Sequence, residues 1–397
     1  MKQQMSQANA TSTEMRKTIL ASDELADGLA GLIQAGPLLF TAGCDGHRDL
    51  GTAKINPELA GNPEAQCENA YGRVGALLRR ANADFPSVVR LDHATSSQDW
   101  LPRRQAIRGK LFGRPAPLAS TGVGAKMSGI NMLTTFVIAV ADPADKEVLI
   151  PGARYGMNNI SSAVRGGPFL FLAGIRGTLD PRTGRTVSEE THDAFPAQLR
   201  MSYDIINAIL AEIGADASAI LRLDCYIRDI TRSDEDSRVR DDVLGSVACA
   251  STVVGLPLSA RGEVEITTIA LAPGHAKQVV AQRTNGLPCV VRAGGFLFIG
   301  ECRGNVTVET GELDRSVTGD RRGQLLRALD VLDTRLRNAG SNSAQVVRLE
   351  LYLRDIYFAE QANAVLRQHF GNNPPVVSTT GAELDDLVEV KLNAIAI

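Results

Sequence analysis

Three signatures recur in the same order three times along this chain, which restricts the fold to one built from repeated units. The first is an apolar strand running into a glycine bend: LLFTAGCDG at 38–46, FLFLAGIRG at 169–177 and FLFIGECRG at 296–304. The second reads VRLDHATSS at 89–97, LRLDCYIRD at 221–229 and VRLELYLRD at 347–355. Its arginines, Arg90, Arg222 and Arg348, are 132 and 126 residues apart, and the first signature keeps nearly the same period. A third signature, LASTGVG (118–124), CASTVVG (249–255) and VVSTTGA (376–382), leads into the terminal strands TTFVIAV, EITTIAL and KLNAIAI.

Between the first two signatures the apolar period lengthens to that of a helix. Leu199, Tyr203, Ile206, Leu210 and Ile213 recur at steps of three and four, as do Leu325, Leu329, Leu332 and Leu336, with Gly340 placed to end the helix. A second, shorter helix is expected after the second signature, clearest at 357–371. Each unit thus reads β-β, helix, β, helix, β-β. The expected divisions are an N-terminal extension at 1–30 and units at 31–142, 157–272 and 285–397, separated by polar breaks at 141–156 and 272–286. In the second signature Leu91, Leu223 and Leu349 face one side of the strand. Arg90 with Asp92, Arg222 with Asp224, and Arg348 with Glu350 face the other. Such pairs fit an ion-pair network where three units meet, or a central anion site.

Composition narrows the function. A net charge of −3 gives no field for nucleic acid or an anionic membrane, and the arginine excess over eight lysines is scattered. The apolar runs are strand-sized and the first residues lack a secretory signal. Six dispersed cysteines without a CxxC fit reduced thiols, and five histidines without an i, i+4 pair argue against a metal site. A cytoplasmic protein with no metal, no nucleic-acid partner and no membrane partner is expected.

Signature order, a unit of about 125 residues and the closing Ser-Thr strand resemble the Rid family of reactive intermediate deaminases, also called YjgF-like or L-PSP-like proteins. The resemblance extends over 30–140, 160–272 and 285–397 and is strongest from Ala339 to Ile397. It implies an α+β fold of three tandem Rid-like (chorismate-mutase-like) units, forming a pseudo-threefold trimer around a central β-barrel with helices outside. Small substrates would bind in the clefts between units. It also exposes departures. The family's substrate-clamping arginine, directly before the Ser/Thr of the closing strand, falls on Ala119, Ala250 and Val377. Its water-orienting glutamate falls on Thr134, Glu265 and Lys391, so only the second unit keeps it. A cleft asparagine of the second helix matches Asn363, where the other units have Gln105 and Ser237.

These departures make Glu265 the candidate general acid or base, unless it is a surface carboxylate beside Glu263 on its strand. Ser251 and Thr252 would hold the substrate, with Arg176 and Arg303 as substitutes for the lost clamp and Glu301, in a place held by Gly43 and Gly174, as an added cleft carboxylate. Cys302, a thiol at the strand end beside Arg303, is a further cleft candidate that the arginine's charge would activate as a nucleophile; against this, Cys302 and Cys44 occupy the place of Ile175, so the slot accepts an apolar filler. His93 points toward the helices as a buried histidine, and Trp100 opens a diverged helix.

The expected function is a cofactor-independent hydrolase, deaminase or lyase acting on a small imine, enamine, cyclic amide or enol metabolite at one cleft. The rivals are a non-catalytic ligand-binding or scaffold protein and, as a narrower variant, a chorismatase-like enol-ether hydrolase. Ribonuclease activity, attached to some family members, lacks a basic aromatic-lined surface here. An enzyme should have one cleft unlike the others; a scaffold should have three similar, filled clefts. Fusion satisfies the interfaces that make single-unit relatives trimeric, so a monomer with a small-molecule substrate is expected.

Overall fold

The computed structural model describes residues 15–22, 29–50, 52–180, 182–187, 194–245, 247–259, 262–282, 288–385 and 387–397. Most of the expected extension at 1–30 and the end of the break at 272–286 lie outside these residues.

Apart from two-residue strands and single turns, the first unit runs β1 (Lys17–Ser22), β2 (Ala30–Ala35), β3 (Leu38–Thr41), α1 (Pro63–Arg79), β4 (Val88–Thr95), α2 (Leu101–Phe112), β5 (Ala119–Gly124) and β6 (Leu133–Val140). The second runs β7 (Lys146–Pro151), β8 (Ser161–Gly166), β9 (Phe169–Ile175), α3 (Ala194–Glu212), β10 (Ile220–Ile227), α4 (Ser233–Leu244), β11 (Ala250–Gly255) and β12 (Val264–Leu271). The third runs β13 (Lys277–Gln282), β14 (Pro288–Ala293), β15 (Phe296–Arg303), α5 (Arg321–Asn338), β16 (Val346–Leu353), α6 (Ala359–Phe370), β17 (Val376–Gly381) and β18 (Val390–Ala396).

The strand order is the same each time: β1-β2-β3-β6-β4-β5, β7-β8-β9-β12-β10-β11 and β13-β14-β15-β18-β16-β17. Only the last pair in each is parallel, as it must be when a helix crosses between its strands. Two expectations change. The breaks at 141–156 and 272–286 and the extension at 1–30 each contain a strand, β7, β13 and β1, antiparallel to the next strand of its sheet. The register also shifts one alignment. Val376, opposite Arg348, corresponds to Ala119 opposite Arg90 and Ala250 opposite Arg222, so Val377 is one residue out. Neither valine supplies a guanidinium.

Helix ends follow local chemistry. Asn62 accepts from Ala65 N at the start of α1, where Pro63 is the first helical residue, and Asp320 caps α5 through Gly323 N. Gly340, at φ 71°, terminates α5. The helices cover one face of each sheet, with Leu91, Leu223 and Leu349 beneath them. The opposite faces share a single apolar cluster in which Phe169 meets Phe296 and Phe298 edge-on, and Phe296 meets Phe40. Next to it lie the repeated ion pairs, all buried. Arg90 grips Asp92 through Nε (2.6 Å) and Nη2 (2.9 Å), Arg222 reaches both Asp224 and Glu350, and Arg348 pairs with Glu350. Each guanidinium has a carboxylate, so this layer is a satisfied network and leaves no cation for a central anion.

Three lysines fasten each unit to the one before it. Lys146 donates to Pro86 O and Val88 O, both at 2.7 Å. Lys277 donates to Ile220 O (2.6 Å) and Ala248 O (2.7 Å), and Lys17 to Ala344 O (3.2 Å) and Asn373 O (2.7 Å). Each lysine is the first residue of its unit's first strand. No helix among the described residues is long and apolar enough to cross a membrane.

Candidate active site

Register places Thr134, Glu265 and Lys391 at one position of the repeated sheet, opposite Ala94, Tyr226 and Tyr352. The three clefts around them differ completely.

Glu265, on β12, points out of its own sheet toward the first unit. It is 5% exposed, so the surface reading fails, and Glu263 is engaged separately by Arg228. Its Oε2 lies 3.8 Å from Arg176 Nε, and the N–H of Gly122 donates to it. Burial raises its pKa above the ordinary 4.5, against the pull of Arg176 and Arg104. Gly174 leaves room for the carboxylate in this position, since a Cβ there would lie 2.3 Å from Glu265 Oε1. The carboxylate opens on a cavity of about 220 Å³. The first unit contributes Arg104, Gln105 and Arg108 of α2 with Ser120 and Gly122 of β5, and the second contributes Gly174, Arg176 and Ser259 beside Glu265. Arg176 is held by Ser259 through Oγ and the carbonyl oxygen (3.3 Å).

Arg104 and Arg108 were not legible as site residues. They lie one turn apart on α2, 3% and 5% exposed. Arg108 donates to Ser120 Oγ (3.3 Å) and Asn159 O (3.4 Å), while Arg104 lies over the Trp100 ring, 5.9 Å from its centroid. The signal available in the sequence was an Arg-x-x-x-Arg step in a helix whose counterpart in the next unit carries Asp236 and Arg240.

Ser251 and Thr252 are not in this cleft. A closing strand borders the following unit, so the residues beside Glu265 come from β5, and Ser251 lies instead against Gly300 of the third unit. Thr252 is interior, accepting from Asn393 Nδ2 at 2.9 Å. In the cleft between the second and third units, Glu301 pairs with Arg303 and with Lys391 Nζ (3.1 Å), and Asp385 pairs with Lys391 and with Arg303 Nη2 (3.0 Å). Lys391 is 0% exposed, so this cleft is filled by its own side chains. Arg303 and Glu301 therefore complete a structural network. Cys302 is buried, with Arg335 Nη1 at 3.2 Å from its sulfur, and burial pushes the Cys44 thiol up to about 11, away from the thiolate a nucleophile needs.

Asn363 belongs to the third cleft, about 660 Å³, between the third and first units. There Thr134 Oγ1 donates to Asp45 Oδ1 at 2.5 Å, and Asn363 Oδ1 is buried without a partner. His93 is buried edge-on against Tyr71 with no hydrogen-bond partner on either ring nitrogen, and burial drives its pKa well below 6.5, keeping it neutral.

The family model described as Endoribonuclease L-PSP matches residues 153–272, the second unit, whereas the repeated signatures resemble the family most strongly in the third. A RutC family protein of Pyrococcus horikoshii is 30% identical over 27% of this chain and 82% of its own length, and one of Pyrococcus abyssi is 29% identical over 27% and 81%. The chain belongs to the Rid family, to which the RutC and YjgF names also attach. Among solved structures, a YjgF family member from Mycobacterium tuberculosis is 25% identical, with a TM-score of 0.26 over 32% of this chain and 99% of that one. A chorismatase is 15% identical, with a TM-score of 0.48 over 79% and 93%.

Proposed function

We propose that the chain is a cofactor-independent hydrolase, deaminase or lyase acting on a small imine, enamine, cyclic amide or enol metabolite, and that the cleft between the first and second units is its active site. The observation that carries this reading is Glu265: a buried carboxylate of raised pKa, open to a small cavity. A group so placed holds its proton to a higher pH than an ordinary surface glutamate, which suits it to give and take protons. For an imine, the carboxylate takes a proton from water as its oxygen adds to the carbon and passes it to the nitrogen; it then takes the proton of the new hydroxyl and delivers that to the nitrogen as the C–N bond breaks, releasing ammonia or an amine and leaving a carbonyl. For an enol or enamine, the protonated form delivers its proton to carbon before water adds.

The family description as an endoribonuclease finds little support at this site. The described lining contains no aromatic residue on which a base would stack, and the volume suits a metabolite. A ligand-binding role without turnover fits the third cleft better, because the place of Glu265 is taken there by Thr134, whose hydroxyl does not ionise and is engaged with Asp45. The same reading makes the three units a pseudo-threefold trimer around a central barrel, working as a monomer in the cytoplasm. Light scattering should then give one 42.3 kDa chain per particle.

The test is a panel of small cyclic imines, enamines and enol acids assayed with wild type and Glu265→Gln. Turnover that the variant loses while keeping its fold is the expected result. Equal turnover by both proteins would end the Glu265 assignment.

A further inference from the structure

We infer that the substrate of this cleft carries an anionic group, seated on the guanidinium groups of Arg104 and Arg108; the inference rests on reading the cleft as the active site. Both arginines are almost wholly buried, both line the cavity, and neither forms an ion pair with a carboxylate among the described residues. The Nε of each has no partner. Arg108 has only neutral acceptors, a hydroxyl and a carbonyl oxygen. Two buried guanidiniums side by side are strongly unfavourable unless a negative charge joins them.

The second unit shows what the fold does when no ligand is needed. The positions of Arg104 and Arg108 are there Asp236 and Arg240, 3.7 Å apart, and Tyr203 OH donates to Asp236. Tyr71 occupies the place of Tyr203 in the first unit, but where Tyr203 has a carboxylate its buried hydroxyl has only the Cys67 thiol beside it. Arginine in place of that aspartate therefore leaves two cations where the second unit has a self-satisfied pair, and takes from the tyrosine its carboxylate acceptor. The Trp100 ring over which Arg104 lies does not neutralise two cations, whereas an incoming anion does.

The opening is also shaped for it. A Cβ on Gly122 would lie 2.5 Å from Arg104 Nη2, so the glycine lets this guanidinium stand where it does, against the strand that lines the cavity. The cavity's charged residues are Arg104, Arg108 and Arg176 against Glu265 alone. Glu265 and Arg104 are close enough for their charges to act on each other. The anionic group then lies at the α2 wall and the reacting atoms at the β12 wall. Carboxylate and phosphate share the required chemistry, since both present paired oxygens to a guanidinium fork.

Titration calorimetry of the full-length protein with pyruvate and with inorganic phosphate tests this. Wild type should bind at least one probe, pyruvate alone assigning a carboxylate and phosphate alone a phosphate ester. Arg104→Asp copies the pairing of Asp236 with Arg240 and gives Tyr71 an acceptor, so it should fold, checked by circular dichroism, and bind at least about tenfold more weakly. Arg108→Gln should weaken binding to a similar degree. Glu265→Gln should bind the probes as well as wild type or better, which separates this inference from the catalytic one: probe binding without turnover of any substrate would fail the mechanism and leave the anion seat standing. Wild type binding neither probe at millimolar concentrations, or Arg104→Asp binding like wild type, would overturn it.

Discussion

Glu265 folds into a place where ionisation is disfavoured, and this has a consequence for stability that needs no substrate. Below pH 4.5, its ordinary pKa, the carboxyl is protonated in folded and unfolded chains alike and contributes nothing. As the pH rises through the higher folded value, the fold must hold a charge that burial opposes, and stability is lost. Glu265→Gln lacks that charge, so its melting temperature should match wild type near pH 4.5 and exceed it increasingly toward neutral pH. A difference that stays constant across this range would mean the carboxylate is solvated. The glutamate was legible because it opens a terminal strand at a repeated position. Its neighbours were not: Ser251 and Thr252 closely precede it in the repeat pattern, but the cleft takes its closing strand from the preceding unit. Arg104 and Arg108 were missed because a helix arginine normally reads as surface charge, and only the fold shows them turned inward.

At the scale of elements, the same buried glutamine stands one turn into the first helix of each unit and ties that helix to the loop before the terminal strand. Gln324 Nε2 donates to Val317 O (3.1 Å) and Leu387 O (2.9 Å), while its Oε1 accepts from Glu389 N (2.7 Å). Gln66 makes the same set with Leu59, Ile130 and Met132. Gln324→Leu would strand three backbone groups and should cost about 3 kcal/mol in urea unfolding; a loss below about 1 kcal/mol would show the groups reach water instead. Helices and central strands were readable because their apolar periods are long and regular. The first strand of each unit was not. KTILAS, KEVLIP and KQVVAQ are outer strands with polar residues beside the apolar ones, and flanking Pro, Asp and Gly gave them the look of linkers. What makes them strands is a partner elsewhere in the chain.

At the scale of the whole molecule, one cleft is closed by charge and all three junctions are held by lysine. Removing Lys391 would leave Glu301 and Asp385 facing each other with Arg303 as their remaining shared cation, so Lys391→Met should destabilise by about 3–5 kcal/mol in chemical denaturation. A double variant with Glu301→Gln should recover part of that loss, since one of the stranded charges is gone. The junction lysines act differently. Lys146 and Lys277 lie at separate junctions and share no partner, each bridging two carbonyl oxygens of the preceding unit. Lys146→Met and Lys277→Met should each cost about 1–2 kcal/mol. If the three units melt as one cooperative body, the double variant should lose the sum to within about 0.5 kcal/mol and keep a single transition. Two resolved transitions in the double variant would show that a unit can come undone while its neighbours stay folded. The cleft holding Glu265 would then be the first to fail, because half of its wall belongs to the unit that Lys146 fastens.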